Sequence, residues 1–197
     1  LLLCFFLPLL NAMAGEWDAS LYRQIEQSIA TPQFKDKAYL ITKFGAKPEA
    51  TAAQNQQAIQ KAIDQCSKKG GGRVVVPSGY KFLTGAITLK SGVNLEIQEG
   101  AVLEFACEPE LYPIVETSWE GLECFNLSPC VYAFQAHDIA ITGKGIIDGG
   151  GSLETWWPWC GAAQFGWKEG IISQKVEARP RLLKNGEDGI PMYDEQI

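Results

Sequence analysis

The hydrophobic positions of this chain change period near residue 70. Before that point they recur at helical spacing. Trp17, Leu21, Ile25 and Ile29 fall on one face of a helix predicted over 16–29, which Thr31-Pro32 ends. Ala38-Tyr39-Leu40-Ile41 reads as a short strand. The clearest helix is predicted over 51–69. Thr51 and Gln54 form a capping box at its start, Ala58, Ile59, Ala62, Ile63 and Cys66 mark its apolar face, and Gly70-Gly71-Gly72 stops it. Its opposite face is rich in Gln and Lys and is expected to be solvated. Beyond it the apolar runs shorten. Strands are predicted at 73–77, 82–83, 86–89, 93–97 and 102–105, with Gly79, Gly85, Gly92 and Gly100 between them. No helix-length segment separates these runs, which argues against a doubly wound sheet, since each parallel crossover there needs a helix.

A second pattern lies on top of the first. The run 93–97 followed by 102–103 is echoed by 137–141 followed by 146–147, at an offset of 44 residues. The offset fits two turns of a coil, or one turn plus an excursion over 107–130. Short strands repeating in this way point to a solenoid. The end of a β-solenoid exposes unpaired backbone and core, and an amphipathic helix laid over it removes that liability. The helix at 51–69 stands where such a cap belongs.

Two segments carry a family resemblance. FGAKPEATAAQNQQAIQKAIDQC leads into GGGRVVVPSGYKFLTGAITLKSGVNLEIQEGAVL, and residues 143–157 read GKGIIDGGGSLETWW. Over about residues 41–160 the chain resembles glycoside hydrolase family 28, the polygalacturonases and their relatives. That resemblance implies an all-β fold, a right-handed single-stranded parallel β-helix with an N-terminal cap helix, incomplete in these residues. It also implies inverting hydrolysis of the α-linked galacturonate chains of pectin, with no metal or other cofactor. The family's N-T-D, D-D, G-H-G and R-I-K motifs do not occur, and the only histidine, His137, is not flanked by glycines. No catalytic residue is therefore assigned, and the chain is expected to be the N-terminal portion of a longer enzyme, inactive alone. Hydrolysis of rhamnogalacturonan or another pectic chain on the same scaffold is one alternative. A non-catalytic carbohydrate-binding β-helix is another.

Composition narrows the partners. Hydrophobic residues make up 46% and charged residues 20%, as in a globular protein. A net charge of −6 disfavours nucleic acid and anionic membrane surfaces, which need basic patches. Residues 1–10 are almost wholly apolar and precede Ala12-Met13-Ala14, the pattern of a signal peptide cleaved after Ala14, with no initiator Met ahead of it. The expected organisation is a signal peptide at 1–14, a lead-in helix and strand at 15–45, and the N-terminal part of the β-helix domain at 46–197. The mature protein is expected to be secreted or periplasmic, free of the membrane after cleavage, and monomeric.

Five cysteines remain after Ala14. Cys66 is expected as a buried thiol, and Cys124 and Cys130 flank a short loop across which they could pair. With no C-x-x-C and one histidine, no zinc site is expected.

Candidate side chains are few. Asp148 is expected to bond its own turn. His137 and Asp138, read as strand neighbours, are expected to point to opposite faces. Glu187-Asp188 reads as a solvated loop. The aromatic residues Trp119, Trp156, Trp157 and Trp159 lie in predicted loops, where rings either pack the loop down or stack on sugar. Trp119 and Glu120, in Trp119-Glu120-Gly121, are the pair chosen as substrate-binding. The partner they imply is a pectic polysaccharide such as polygalacturonate.

Overall fold

The computed structural model describes residues 19–191; the expected signal segment, 1–14, lies outside them. Two compact units divide at Pro32 and Gln33. In the first, α1 (Ala19–Ser28) carries Leu21 and Ile25 one turn apart, as the spacing predicts.

The second unit opens with β1 (Ala38–Leu40), a short 3-10 turn at Ile41–Phe44, and α2 (Ala52–Lys68). The capping box of α2 forms as predicted: the Thr51 hydroxyl accepts from the Gln54 N–H, and the Gln54 side chain accepts from the Thr51 N–H. Its apolar face, with Ile59, Ile63 and Cys66 fully buried, covers the end of the first coil. The polar face departs from expectation. Gln60 accepts from the Thr88 N–H at 2.9 Å and donates to the Thr88 carbonyl at 3.0 Å. Gln56 donates to the carbonyls of Ala86 and Leu111, each at 2.7 Å. These amides mimic a neighbouring strand and satisfy backbone groups that would otherwise be orphaned. Asn55, fully buried, does the same work nearby by donating to the carbonyls of Lys47 and Leu83.

The coil follows as β2 (Gly72–Val76), β3 (Lys81–Thr84), β4 (Ile87–Thr88), β5 (Val93–Ile97) and β6 (Val102–Phe105). Then come an antiparallel hairpin, β7 (Ile114–Trp119) and β8 (Leu122–Leu127), and the next coil, β9 (Val131–Tyr132), β10 (Ala140–Gly143) and β11 (Ile146–Asp148). Three parallel stacks result, in the orders β1-β2-β5-β10, β3-β6-β11 and β4-β9. This is the parallel β-helix that the resemblance implies.

Gly72 faces Val93 and Lys81 faces Val102, so one coil takes 21 residues. Val102 faces Ile146, 44 residues on. The longer offset is thus one coil plus the excursion that carries the hairpin. The sequence echo is exact for β11 but slipped for β10: Asn94 faces Ala140, 46 residues on. A two-residue slip preserves the inward and outward alternation, because side chains repeat with period two.

Inward positions stack like on like. Val74 lies over Leu95 and Phe82 over Leu103, and all four are fully buried. Outward positions carry ion pairs between coils: Arg73 reaches Glu96 at 2.7 Å and Asp36 at 2.9 Å, and Lys81 pairs with Glu104. The glycines of the GKG motif have a packing reason. A Cβ on Gly143 would overlap the Ile97 carbonyl, and one on Gly145 would crowd the Ala101 carbonyl at 2.8 Å. Only glycine lets this turn sit directly on the turn of the coil before it.

Three further expectations change. His137 and Asp138 do not sit in a strand; Asp138 is left-handed (φ 51°), and its carboxylate meets His137 Nδ1 at 2.8 Å. Both side chains are largely exposed. Glu187 and Asp188 close a helix, α3 (Arg179–Asp188), where Asp188 pairs with Lys184 one turn back at 2.6 Å. Cys130 carries a free thiol, so the Cys124–Cys130 bridge is not formed. Asp148 behaves as expected, its Oδ1 accepting from the Gly150 N–H at 2.9 Å.

Candidate functional site

Between β6 and β9 the chain leaves the coil as an arm. A 3-10 turn at Pro109–Leu111 starts it, and Tyr112 anchors its base, 5% exposed, with its hydroxyl donating to the Ala106 carbonyl at 2.8 Å. Tyr132 on β9 donates to the Glu116 carbonyl at 2.8 Å and ties β7 back to the coil. The hairpin turns at Glu120 (φ 52°) and Gly121 (φ 85°), between the facing residues Trp119 and Leu122. Left-handed geometry at both turn residues matches the twist of a two-residue hairpin, and it is unfavourable for a glutamate without an outside contact.

Arg179 supplies that contact. Its Nε donates to both carboxylate oxygens of Glu120, at 3.0 and 2.9 Å, and a second guanidinium nitrogen lies 2.8 Å from Oε2. The interaction raises the Arg179 pKa, with the hydrogen bond to Glu120 the main cause. The carboxylate of Glu120 is therefore committed to fastening the arm to the first turn of α3. Sequence reasoning missed Arg179, which lies 59 residues away and carries no local signal.

The arm and the segment after β11 enclose a cavity of about 620 Å³. Trp119, Tyr112 and Ile114 form one wall, and Trp156, Trp159 and Ile172 the other. The rings of Tyr112 and Trp156 meet edge to face at 5.3 Å, and those of Trp156 and Trp159 at 5.1 Å. Trp157, the fourth tryptophan considered above, does not line the cavity and is 48% exposed. The polar lining comes mainly from Asn126, Ser128 and Gln174. Burial, reinforced by the nearby Cys130 and Cys107, raises the Tyr112 pKa well above that of an ordinary phenol, and burial raises that of Cys130 as well. Both groups stay neutral at neutral pH.

Among the described residues no carboxylate lines the cavity, and no three His, Cys, Asp or Glu side chains gather as a metal site. The arrangement can hold a ligand against aromatic rings; by itself it supplies neither an acid nor a base. Of the two chosen residues, Trp119 lines the cavity and Glu120 sits beside it in the ion pair.

The stacks and the arm together define a right-handed parallel β-helix protein with a loop-built aromatic cavity. Its similarities are to polygalacturonases. An exo-poly-alpha-D-galacturonosidase from Dickeya chrysanthemi is 40% identical over 125 residues, 58% of this chain and 20% of that protein. The solved exopolygalacturonase of Thermotoga maritima superposes with a TM-score of 0.81 at 39% identity, over 88% of this chain and 38% of that one. A family 28 exopolygalacturonase of Yersinia enterocolitica gives a TM-score of 0.51 at 33% identity, over 59% of this chain and 21% of that one. No protein-family model matches the chain. Over these shared residues the chain is a homologue of the family 28 polygalacturonases. It spans 20%, 38% and 21% of the length of these three relatives. No helix among the described residues is long and apolar enough to cross a membrane.

Proposed function

We propose that the full-length protein hydrolyses the α-linked galacturonate chains of pectin, with inversion and without a metal. The observation that carries this reading is the superposition on an exopolygalacturonase, which extends over 88% of the chain. An inverting reaction needs an acid and a base roughly 6.5–9.5 Å apart, with a water between. We expect these carboxylates in the portion of the longer relatives that this chain does not span. The described residues contribute scaffold and substrate contact. Trp119 offers a ring face to a sugar, and Glu120, through Arg179, positions the hairpin that presents it.

Export to the periplasm or medium, where a polymer of this size is found, and action as a monomer belong to the same reading. The apolar segment at 1–10 with Ala12-Met13-Ala14 supports export. The test is release of reducing ends from polygalacturonate by the full-length protein. Activity that disappears when aspartates outside this segment are replaced supports the hydrolase. Binding of polygalacturonate without any release favours a carbohydrate-binding β-helix. Release from rhamnogalacturonan alone favours a different pectic hydrolase.

A further inference from the structure

The loop after β11 holds one large ring outward. Trp157 is 48% exposed, although tryptophan is among the side chains whose burial stabilises a fold most. The loop that carries it is tightly bonded. The Ser152 N–H donates to Thr155 Oγ1 at 2.7 Å, and the Thr155 hydroxyl donates to the Gly150 carbonyl at 2.6 Å. The Glu154 N–H donates to Ser152 Oγ at 3.1 Å, and the Trp157 N–H to the Ser152 carbonyl at 3.2 Å.

The ring itself is seated on a glycine. A Cβ on Gly151 would lie 2.7 Å from Trp157 Nε1, 3.4 Å from Cδ1 and 3.7 Å from Cε2. These distances grow away from Nε1, so the indole meets Gly151 by an edge and not by a face. Trp156, next in sequence, faces the cavity instead, edge to face with Tyr112 and Trp159. Consecutive Cα atoms are about 3.8 Å apart, close enough for one polymer chain to cross both rings. A fixed indole with an open face is a stacking surface for a sugar, whose C–H face is apolar while its carboxylate projects from the ring edge.

We propose that Trp157 is a second sugar platform, which stacks the galacturonate residue next along the chain from the one held between Trp119 and Trp156. Gly151 is its positioning residue and acts through the indole it seats. The assignment rests on the pectic substrate reading above and extends substrate contact beyond the cavity. It also accounts for two glycines of the GGGSLETWW segment: Gly149 lines the cavity, and Gly151 leaves room for the indole outside it.

Calorimetric titration of the full-length protein with hexagalacturonate tests it. Trp157→Ala is expected to weaken binding about tenfold, and Trp157→Phe, which keeps a ring, no more than about threefold. Gly151→Ala keeps the indole and removes its seat. The backbone there is not left-handed, so alanine adds no strain of its own, and a several-fold loss of affinity is expected. Melting temperatures measured alongside are expected to stay near that of the unaltered protein. Unaltered affinity in Trp157→Ala overturns the platform. So does an equal loss of affinity in Trp157→Phe and Trp157→Ala with a lowered melting temperature in both, which would make the indole a packing residue covered in the full-length protein. Reducing-end release from polygalacturonate separates the two readings. If the unaltered protein neither binds hexagalacturonate nor releases reducing ends, the pectic reading fails and takes the platform with it. If it does both and Trp157→Ala binds equally well, only the platform falls.

Discussion

The coil and the arm use aromatic and aliphatic residues in opposite ways. In the coil, Phe82 stacks on Leu103 and Val74 on Leu95, every one fully buried. In the arm and the segment after β11, Tyr112, Trp156 and Trp159 meet edge to face and, with Trp119, line about 620 Å³ of open space. The coil spends its hydrophobic residues on stability, and the arm arranges its own around a space. The contrast also appears within one register. Ile141 and Ile147 continue the Leu95 and Leu103 stacks, yet they are 48% and 41% exposed because no further strand covers them among the described residues. Position in the stack, more than residue type, sets what a side chain contributes.

If that division is right, damage to the coil should show in stability and damage to the arm in ligand binding. Phe82→Ala is expected to cost about 3–5 kcal/mol of unfolding free energy, read from urea denaturation. A loss under about 1 kcal/mol there would mean that the stack is not tightly packed.

The buried thiol of Cys66 gives a pH signature to the same core. Burial pushes its pKa up from 9.0 to about 11, so the folded state holds the proton where the unfolded chain releases it. This contribution to stability is complete below pH 9 and is lost as pH rises toward 11. The melting temperature should fall across that window, and Cys66→Ala should flatten the fall; an unchanged slope in the variant would place the titration elsewhere.

Thr51→Ala removes one half of the capping box on α2 and is expected to lower stability by about 1 kcal/mol, measured by denaturation. The smallest effect on stability is expected from Glu120→Gln. This exposed pair with Arg179 should leave the melting temperature almost unmoved, while the hairpin loosens and the Michaelis constant rises. A clear drop in melting temperature with unchanged kinetics would make the pair structural only.

Coil and arm also differ in how far they could be read from sequence. In the coil, local pattern and tertiary structure agree, so the bounds of β5 and β6 coincide with the predicted runs and the cap of α2 forms as the T-x-x-Q motif implies. The errors there came from polar residues. Gln56 and Gln60 look solvated on a helical wheel, but the open edge of β4 recruits them, and an unpaired edge is not visible in a helical pattern. In the arm, tryptophans on loops were visible and their partners were not. Arg179 reaches Glu120 across 59 residues, and the edge-to-face contacts of Trp156 with Tyr112 and Trp159 appear only when the walls are assembled. The His137–Asp138 contact was missed for a related reason: a left-handed Asp138 takes the pair out of the strand, where neighbours would have pointed apart.

The most direct test of a scaffold that carries its substrate contact on an arm is Trp119→Ala in the full-length protein, with the Michaelis constant for polygalacturonate and the melting temperature measured on one preparation. The account predicts a Michaelis constant raised about tenfold, with a shift in melting temperature well short of that caused by Phe82→Ala. An unchanged Michaelis constant together with a large loss of melting temperature would contradict it, and would make Trp119 part of the core.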